Sequence, residues 1–251
     1  MQYQATYYTK NSVKNYKMNP TLYIIPTTLG ENWETIPQYV IDLVQDLDVF
    51  VVENLKTARR HLRKMSFTKN FDTEVAFFEL DKHNPSLEDL LNFLLKQQNS
   101  NKNIGLLSEA GNPCIADPGA GVVELAHQLN FQVKPLVGPS SILMALISSG
   151  FNGQHFTFNG YLPIDNKQRK IAIKELESKV IRGNCTQIFM ETPYRNEKLI
   201  EELINTLHTE TKLCIAANIG EENEFIQTRL IKNWKKRPNL HKIPTVFVLG
   251  K

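Results

Sequence analysis

From residue 22 onward, short apolar runs alternate with stretches whose apolar residues recur every three or four positions, and this alternation constrains the fold more than any other feature. LYIIP (22–26) is a short apolar run closed by Pro26. Residues 36–47 then repeat Ile36, Tyr39, Val40, Leu43, Val44 and Leu47, the stripe of a helix lying on a core. DVFVV (48–52) reads as a buried strand, 54–65 as a helix and EVAFFEL (74–80) as the next strand. Ser86 with Asp89 has the form of a capping box opening a helix over 87–97. IGLLS (104–108), a helix over 120–129 and a strand over 132–137 complete the series. Strands joined by helical crossovers pair in parallel and need both faces covered. The first half is therefore predicted to be α/β with a mainly parallel sheet.

Near residue 150 the texture changes. SGFNGQHFTFNGYLP (149–163) is glycine-punctuated and aromatic, and it predicts a linker followed by the first strand of a second unit. A charged helix (166–181), strand TQIFM (186–190), helix 195–207 and strand KLCIAA (212–217) follow. EFIQTRL (224–230) and TVFVLG (245–250) are closely spaced strands, so this second α/β unit is expected to carry a mixed sheet. The predicted division is an N-terminal domain over 18–152 and a C-terminal domain over 153–251. Residues 1–17 hold Lys10, Lys14 and Lys17 and no acid, and Met18 reads as the natural start after a flexible extension. From Met18 onward 26 basic residues face 26 acidic ones, so the net charge of +3 gives no general argument for nucleic acid. An apolar content of 41% supports a sizeable core and argues against disorder. Cys114, Cys185 and Cys214 form neither a CxxC pair nor a disulfide framework, and no apolar run approaches the roughly 18 residues of a spanning helix. A reducing, cytoplasmic compartment and no membrane contact are expected.

In open parallel sheets, ligands collect where loops leave the carboxyl ends of the strands. Three such loops mix glycine or proline with small polar residues: PTTLGE (26–31), SEAGNPCIADPG (108–119) and VGPSSI (137–142). None is a dinucleotide fingerprint or a phosphate-binding P-loop. The 108–119 run resembles the S-D-A-G-x-P-x-I-S-D-P-G motif of the tetrapyrrole methylase superfamily, and more closely its branch that methylates a cytidine 2′-hydroxyl in small-subunit ribosomal RNA. LYIIPTTLGE stands where that branch has L-Y-x-V-x-T-P-I-G-N, and VENLKTAR (52–59) where it has A-E-D-T-R-x-T. VGPSSILMALISSG (137–150), FNGYLP (158–163) and METPYR (190–195) match P-G-P-S-A-x-x-A-A-L-x-x-S-G, F-x-G-F-L-P and Y-E-S-P-H-R.

The resemblance implies two α/β domains of tetrapyrrole-methylase type, with S-adenosyl-L-methionine in the cleft between them and a homodimer as the usual assembly. Carried over position by position, it assigns cofactor contacts to Leu29 and Gly30, to Gly111, Asn112, Pro113 and Ile115, to Ser141 and Ile142, and to Met190, Ala217 and Thr245. It also implies ribosomal RNA or the small ribosomal subunit as partner. AANIGEENEF (216–225) departs from the branch's R-E-L-T-K-x-x-E, retaining only an acidic element, which bears on the RNA target more than on the cofactor. Two alternatives stay open: a methyltransferase for a small tetrapyrrole or corrin intermediate, and a non-catalytic RNA- or ribosome-binding relative.

Glu53 and Glu109 end apolar strand runs and are the candidate general bases; the spacing favours Glu109 as a loop cap that accepts backbone hydrogen bonds, and leaves both roles open for Glu53. Tyr194 and Arg195 are candidates for orienting substrate. His61, His83 and His155 are isolated, and no His/Cys/carboxylate cluster has metal-ligand spacing, so no metal is expected. Lys56, Arg59, Arg60, Arg63 and Lys64 fall on one face of the 54–65 helix, opposite Leu55, Ala58, Leu62 and Met65. That stripe is the candidate RNA-binding surface, with a second basic cluster at Lys232, Lys235, Lys236 and Arg237.

Overall fold

A computed structural model describes residues 19–80 and 86–251; the expectations for residues 1–17, Met18 and His83 lie outside the described residues. The first half consists of β1 (Thr21–Ile25), α1 (Gln38–Gln45), β2 (Val49–Val52), α2 (Leu55–Lys64), β3 (Ala76–Glu79), α3 (Leu87–Asn99), β4 (Ile104–Leu107), α4 (Ala120–Gln128), β5 (Gln132–Pro135) and α5 (Ser141–Ser149). The second half consists of β6 (Phe156–Tyr161), α6 (Asn166–Gly183), β7 (Thr186–Met190), α7 (Asn196–Thr206), β8 (Lys212–Ala217), β9 (Phe225–Leu230) and β10 (Thr245–Gly250).

The first sheet runs β3-β2-β4-β1-β5 and every pairing in it is parallel. β2 and β4 are buried at every residue because helices cover both faces. Phe50 and Val52 meet Val40 and Val44 of α1 and Leu62 of α2 on one side. Val49 and Val51 meet Leu94 of α3 and Val122 of α4 on the other. The expected capping at Ser86 is present, its hydroxyl accepting from the Asp89 amide at 3.2 Å.

The second sheet runs β6-β7-β10-β8-β9, with β6 and β7 parallel and the remaining pairs antiparallel. One face packs Phe189, Leu213, Ile215 and Phe247 against α6 and α7 through Ile173, Leu176, Leu199 and Leu203. The other face packs Ile188, Cys214, Ala216, Val246 and Val248 against Ile142, Ala145 and Leu146 of α5. The helix that follows the last strand of the first sheet is thus a cover for the second, and the chain passes between the two within 136–140. Gly150, in the left-handed region at φ 77°, ends α5.

Arg169 is buried under this second half. Its guanidinium donates to both carboxylate oxygens of Glu202 at 2.5 and 2.7 Å, to the Asn166 side chain at 2.9 Å and to the carbonyls of Ile164 and Pro163. The hydrogen bonds and charge of Arg169 hold the Glu202 carboxyl below its ordinary range. A carboxyl whose folded pKa is depressed stabilises above its unfolded pKa, and that contribution is lost as pH falls through the folded value. Arg169→Met is expected to cost about 1–3 kcal/mol by leaving the partly buried Glu202 carboxylate without its partner. In denaturant midpoints measured against pH, the gap between wild type and variant should narrow below about pH 4.

Candidate active site

Because β4, β1 and β5 are adjacent and parallel, their carboxyl ends lie side by side. Ile25 is level with Leu107, and Ile24 with Pro135. The three glycine- and proline-bearing loops therefore leave from neighbouring strands, and backbone bonds tie them together. Thr27 N–H donates to the Gly111 carbonyl at 2.8 Å, and Gly111 N–H donates to the Thr28 carbonyl at 3.3 Å. Gly111 sits at φ 71°, which makes glycine the residue suited to this exchange. The Asn112 amide donates to the Pro139 carbonyl at 3.0 Å, joining the second loop to the third. Ser140 caps α5, accepting from the Leu143 amide at 3.5 Å.

These loops form one wall of a cleft of about 590 Å³; the ends of β6, β7, β8 and β10 form the opposite wall. Leu29, Gly30, Ile115, Ser141, Ile142, Met190 and Thr245 line it, as does Glu109. Gly111, Asn112 and Pro113 stand behind the lining and shape the loop from within. Ala217 faces away, into the core beneath α6 and α7, and its neighbour Ala216 forms the wall. Side chains alternate along β8, so a shift of one residue exchanges faces.

Glu53 and Glu109 have different roles. Glu53 is buried, lies off the cleft lining, and accepts the Glu109 backbone N–H at 3.0 Å. Glu109 is exposed at the cleft, and its carboxylate accepts from the Thr57 hydroxyl at 3.4 Å. The loop-holding carboxylate is Glu53, not Glu109 as the sequence favours, and Glu109 lines the cleft.

Asp117, Tyr161, Glu191, Asn218 and Glu221 also line the cleft, beyond the residues that the sequence predicts there. Tyr161 and Glu191 lie in FNGYLP and METPYR, so their motifs were visible although their orientation was not. Glu191 is buried and accepts the Thr192 amide at 2.7 Å and the Arg195 guanidinium at 2.6 Å. Tyr194 is 71% exposed beside the cleft, with the Lys242 ammonium 5.8 Å from its ring. Glu221 reaches across the rim to accept the Glu31 backbone N–H at 2.7 Å. Its carboxylate lies so close to Gly30 that a Cβ there would fall 1.5 Å from Oε1.

The lining has a marked charge pattern. It carries four carboxylates (Glu109, Asp117, Glu191 and Glu221) and no Lys, Arg or His side chain. Ile115, Ile142, Met190, Ala216 and Val246 supply apolar surface between them. Such a cleft suits an adenosine-sized ligand bearing a positive charge, and repels phosphate. The residues present therefore fit the sulfonium cofactor expected from the sequence. Among the described residues no group of three or more His, Cys, Asp or Glu could hold a metal ion.

The α2 stripe is amphipathic as expected, with Ala58, Leu62 and Met65 buried, yet its cations are not equivalent. Arg59 pairs with Asp72 at 2.9 Å and lies over Phe71 and Phe77. Arg63 covers Phe71 at 4.0 Å and bonds the Phe67 carbonyl, while Lys64 pairs with Glu31. Lys56 and Arg60 are exposed and make no hydrogen bond or ion pair among the described residues. His61 is buried against Trp33 with ring centroids 5.4 Å apart, and burial followed by the charges of Arg60 and Lys64 lowers its pKa. His155 is exposed.

The family model for tetrapyrrole (corrin/porphyrin) methylases matches residues 21–233. Ribosomal RNA small subunit methyltransferase I of Vibrio cholerae is 34% identical over 208 residues, spanning 83% of this chain and 68% of that protein. The protein of the same name from Buchnera aphidicola subsp. Schizaphis graminum is 29% identical over 218 residues, spanning 86% and 72%. The crystal structure of the methyltransferase CobJ superposes with a TM-score of 0.60 at 14% identity, covering 92% of this chain and 94% of that one; it supports the fold alone.

The contact between Gly30 and Glu221 yields a direct test of the cleft. Gly30→Ala should force the Glu221 carboxylate from its place and weaken S-adenosylmethionine binding about tenfold in calorimetry, an expected cost near 1.4 kcal/mol. Glu221→Ala alone should weaken binding comparably, and Gly30→Ala should add little on top of it, since the carboxylate that the new Cβ displaces is already gone.

Proposed function

The chain belongs to the tetrapyrrole (corrin/porphyrin) methylase family, and from that premise we propose that its cleft serves S-adenosylmethionine-dependent methylation of small-subunit ribosomal RNA, at a ribose 2′-hydroxyl. One observation carries the choice of substrate: negative charge inside the cleft is separated from positive charge outside it. Glu191 is paired with Arg195, and the acidic lining formed with Glu109, Asp117 and Glu221 attracts a cationic cofactor and keeps phosphates out. Phosphates instead meet α2, whose first turn is joined to the cleft through the bond between Thr57 and Glu109. Only the uncharged sugar edge of a nucleotide then enters. A corrin intermediate, which carries several carboxylates of its own, meets repulsion from the same acidic lining.

In this reading Ile115, Ile142 and Met190 hold the adenosine portion of the cofactor. Leu29, Gly30, Ser141 and Thr245 border it, and Gly111, Asn112 and Pro113 set the shape of the loop beneath. When bound, the cofactor supplies an electrophilic methyl group on sulfur, so the protein's task is alignment and exclusion of water. Glu109 receives the proton of the ribose hydroxyl, and Glu53 fixes the backbone from which Glu109 projects. The expected domains, 18–152 and 153–251, supply the two walls, with α5 laid across the second. The reading further makes the protein a cytoplasmic homodimer.

Methyl-labelled S-adenosylmethionine should transfer label to assembled small ribosomal subunits, and not to a precorrin. Label in the precorrin, or in neither, would overturn the assignment. The RNA face has a sharper variant. Arg59 and Arg63 anchor the 66–77 segment, so their loss confounds folding with binding. Lys56→Glu with Arg60→Glu should abolish RNA methylation and lower the salt slope of RNA binding by about two counterions. Affinity for S-adenosylmethionine should stay within about twofold, as for independent sites.

A further inference from the structure

Tyr161 is delivered to the cleft by a local irregularity. Pairing between β6 and β7 is regular as far as Phe158 opposite Ile188, and resumes with Tyr161 opposite Met190. Three steps on one strand match two on the other, which is a β-bulge with one extra residue. Such bulges re-aim a side chain. Met190 shares the face of Ile188, so the residue opposite it points toward the cleft. Straight pairing would put Gly160 there; the bulge puts Tyr161 there. Gly160 stands at φ 63° with nothing within 4 Å of a would-be Cβ, so glycine is needed for backbone conformation, not for space. The Asn159 amide braces the bulge, donating to the Thr157 carbonyl at 3.1 Å and to the Gln187 side chain and Ile188 carbonyl at 3.2 Å.

The Tyr161 ring is 53% exposed, lines the cleft, and its hydroxyl makes no hydrogen bond among the described residues. Of the other neutral groups in the lining, the Thr245 hydroxyl bonds the Ile243 carbonyl, the Asn218 amide bonds Asn223, and Ser141 borders the cofactor in the reading above. A carboxylate offers acceptor oxygens only. Partial burial, then the negative charges of Asp117 and Glu191, raise the phenol's pKa, so it stays protonated and acts as a donor. Where the family motif quoted above has phenylalanine, this chain has a ring with a hydrogen-bonding tip.

We propose that Tyr161 is a substrate-positioning residue, its hydroxyl donating a hydrogen bond to an uncharged oxygen of the nucleotide that enters the cleft and so holding the acceptor ribose in line. The proposal rests on the RNA-methylation reading above. A neutral donor fits here because a cation would repel the cofactor's charge and pair with the lining acids, whereas a hydroxyl reads the nucleotide without attracting phosphate.

The test measures label transfer to assembled small ribosomal subunits by wild type and by Tyr161→Phe. Losing one neutral hydrogen bond should lower kcat about fivefold, which converts to about 1 kcal/mol. S-adenosylmethionine affinity and the salt slope of RNA binding should not change. Para-aminophenylalanine at 161, an uncharged donor of similar shape, should restore the rate, whereas para-methoxyphenylalanine, which cannot donate, should not. Full activity in Tyr161→Phe, or equal activity in the two substituted phenylalanines, overturns the positioning role while leaving the RNA reading intact. A wild-type protein that labels no RNA overturns that reading and the positioning role with it.

Discussion

The two backbone hydrogen bonds between Thr27, Thr28 and Gly111 are the constraint on which the rest of the site depends. They close the gap between the loops after β1 and β4, and Asn112 extends the tie to the loop after β5. No side chain of those two bonds is involved, so the wall is built from main chain held in one conformation. That conformation requires φ 71° at Gly111, where a Cβ would also lie 3.3 Å from the Leu29 side chain. Everything presented by these loops, from Leu29 to Ser141, takes its position from this clasp.

The opposite wall is organised by strand pairing. β7, β10 and β8 are adjacent in the second sheet, so Met190, Val246 and Ala216 reach the cleft from one continuous surface, with Thr245 bordering it at the start of β10. Thr245 is level with Ala217 on the neighbouring strand, and Val246 with Met190. α5 joins the walls: it begins in the loop layer of the first sheet and buries Ile142, Ala145 and Leu146 on the second. Movement of either wall is therefore resisted by the core of the second half as well as by the loops.

Charge is distributed with equal economy. Four acids line the interior, while the cations lie on α2 outside. Three of those cations are partly spent on the protein itself, Arg59 on Asp72, Arg63 on Phe71 and Lys64 on Glu31. Aromatic faces and surface ion pairs orient these side chains without neutralising the stripe, because exposed pairs remain hydrated and weak. An extended polyanion can lie across such a stripe while its phosphates stay clear of the acidic interior.

Local pattern alone placed most elements: TQIFM, KLCIAA and TVFVLG are strands over the expected residues, and α1 to α4 lie within or close to their apolar stripes. The motifs likewise marked the loops that meet at the cleft. These features were legible because helix period, strand alternation and turn chemistry are written within a dozen neighbouring residues. What lay beyond that window was decided in three dimensions. Strand order brought the loops after β4, β1 and β5 together, and packing assigned α5 to the second sheet. Strand parity turned Ala216, not Ala217, to the cleft, and one extra residue in β6 put Tyr161 where a glycine would have been. The same holds for the two glutamates: each ends a strand, but which one holds the loop and which one lines the cleft depends on the pairing of β2 with β4 and the hydrogen bond it permits. Sequence determines which residues can serve; contacts between segments distant along the chain determine which of them do.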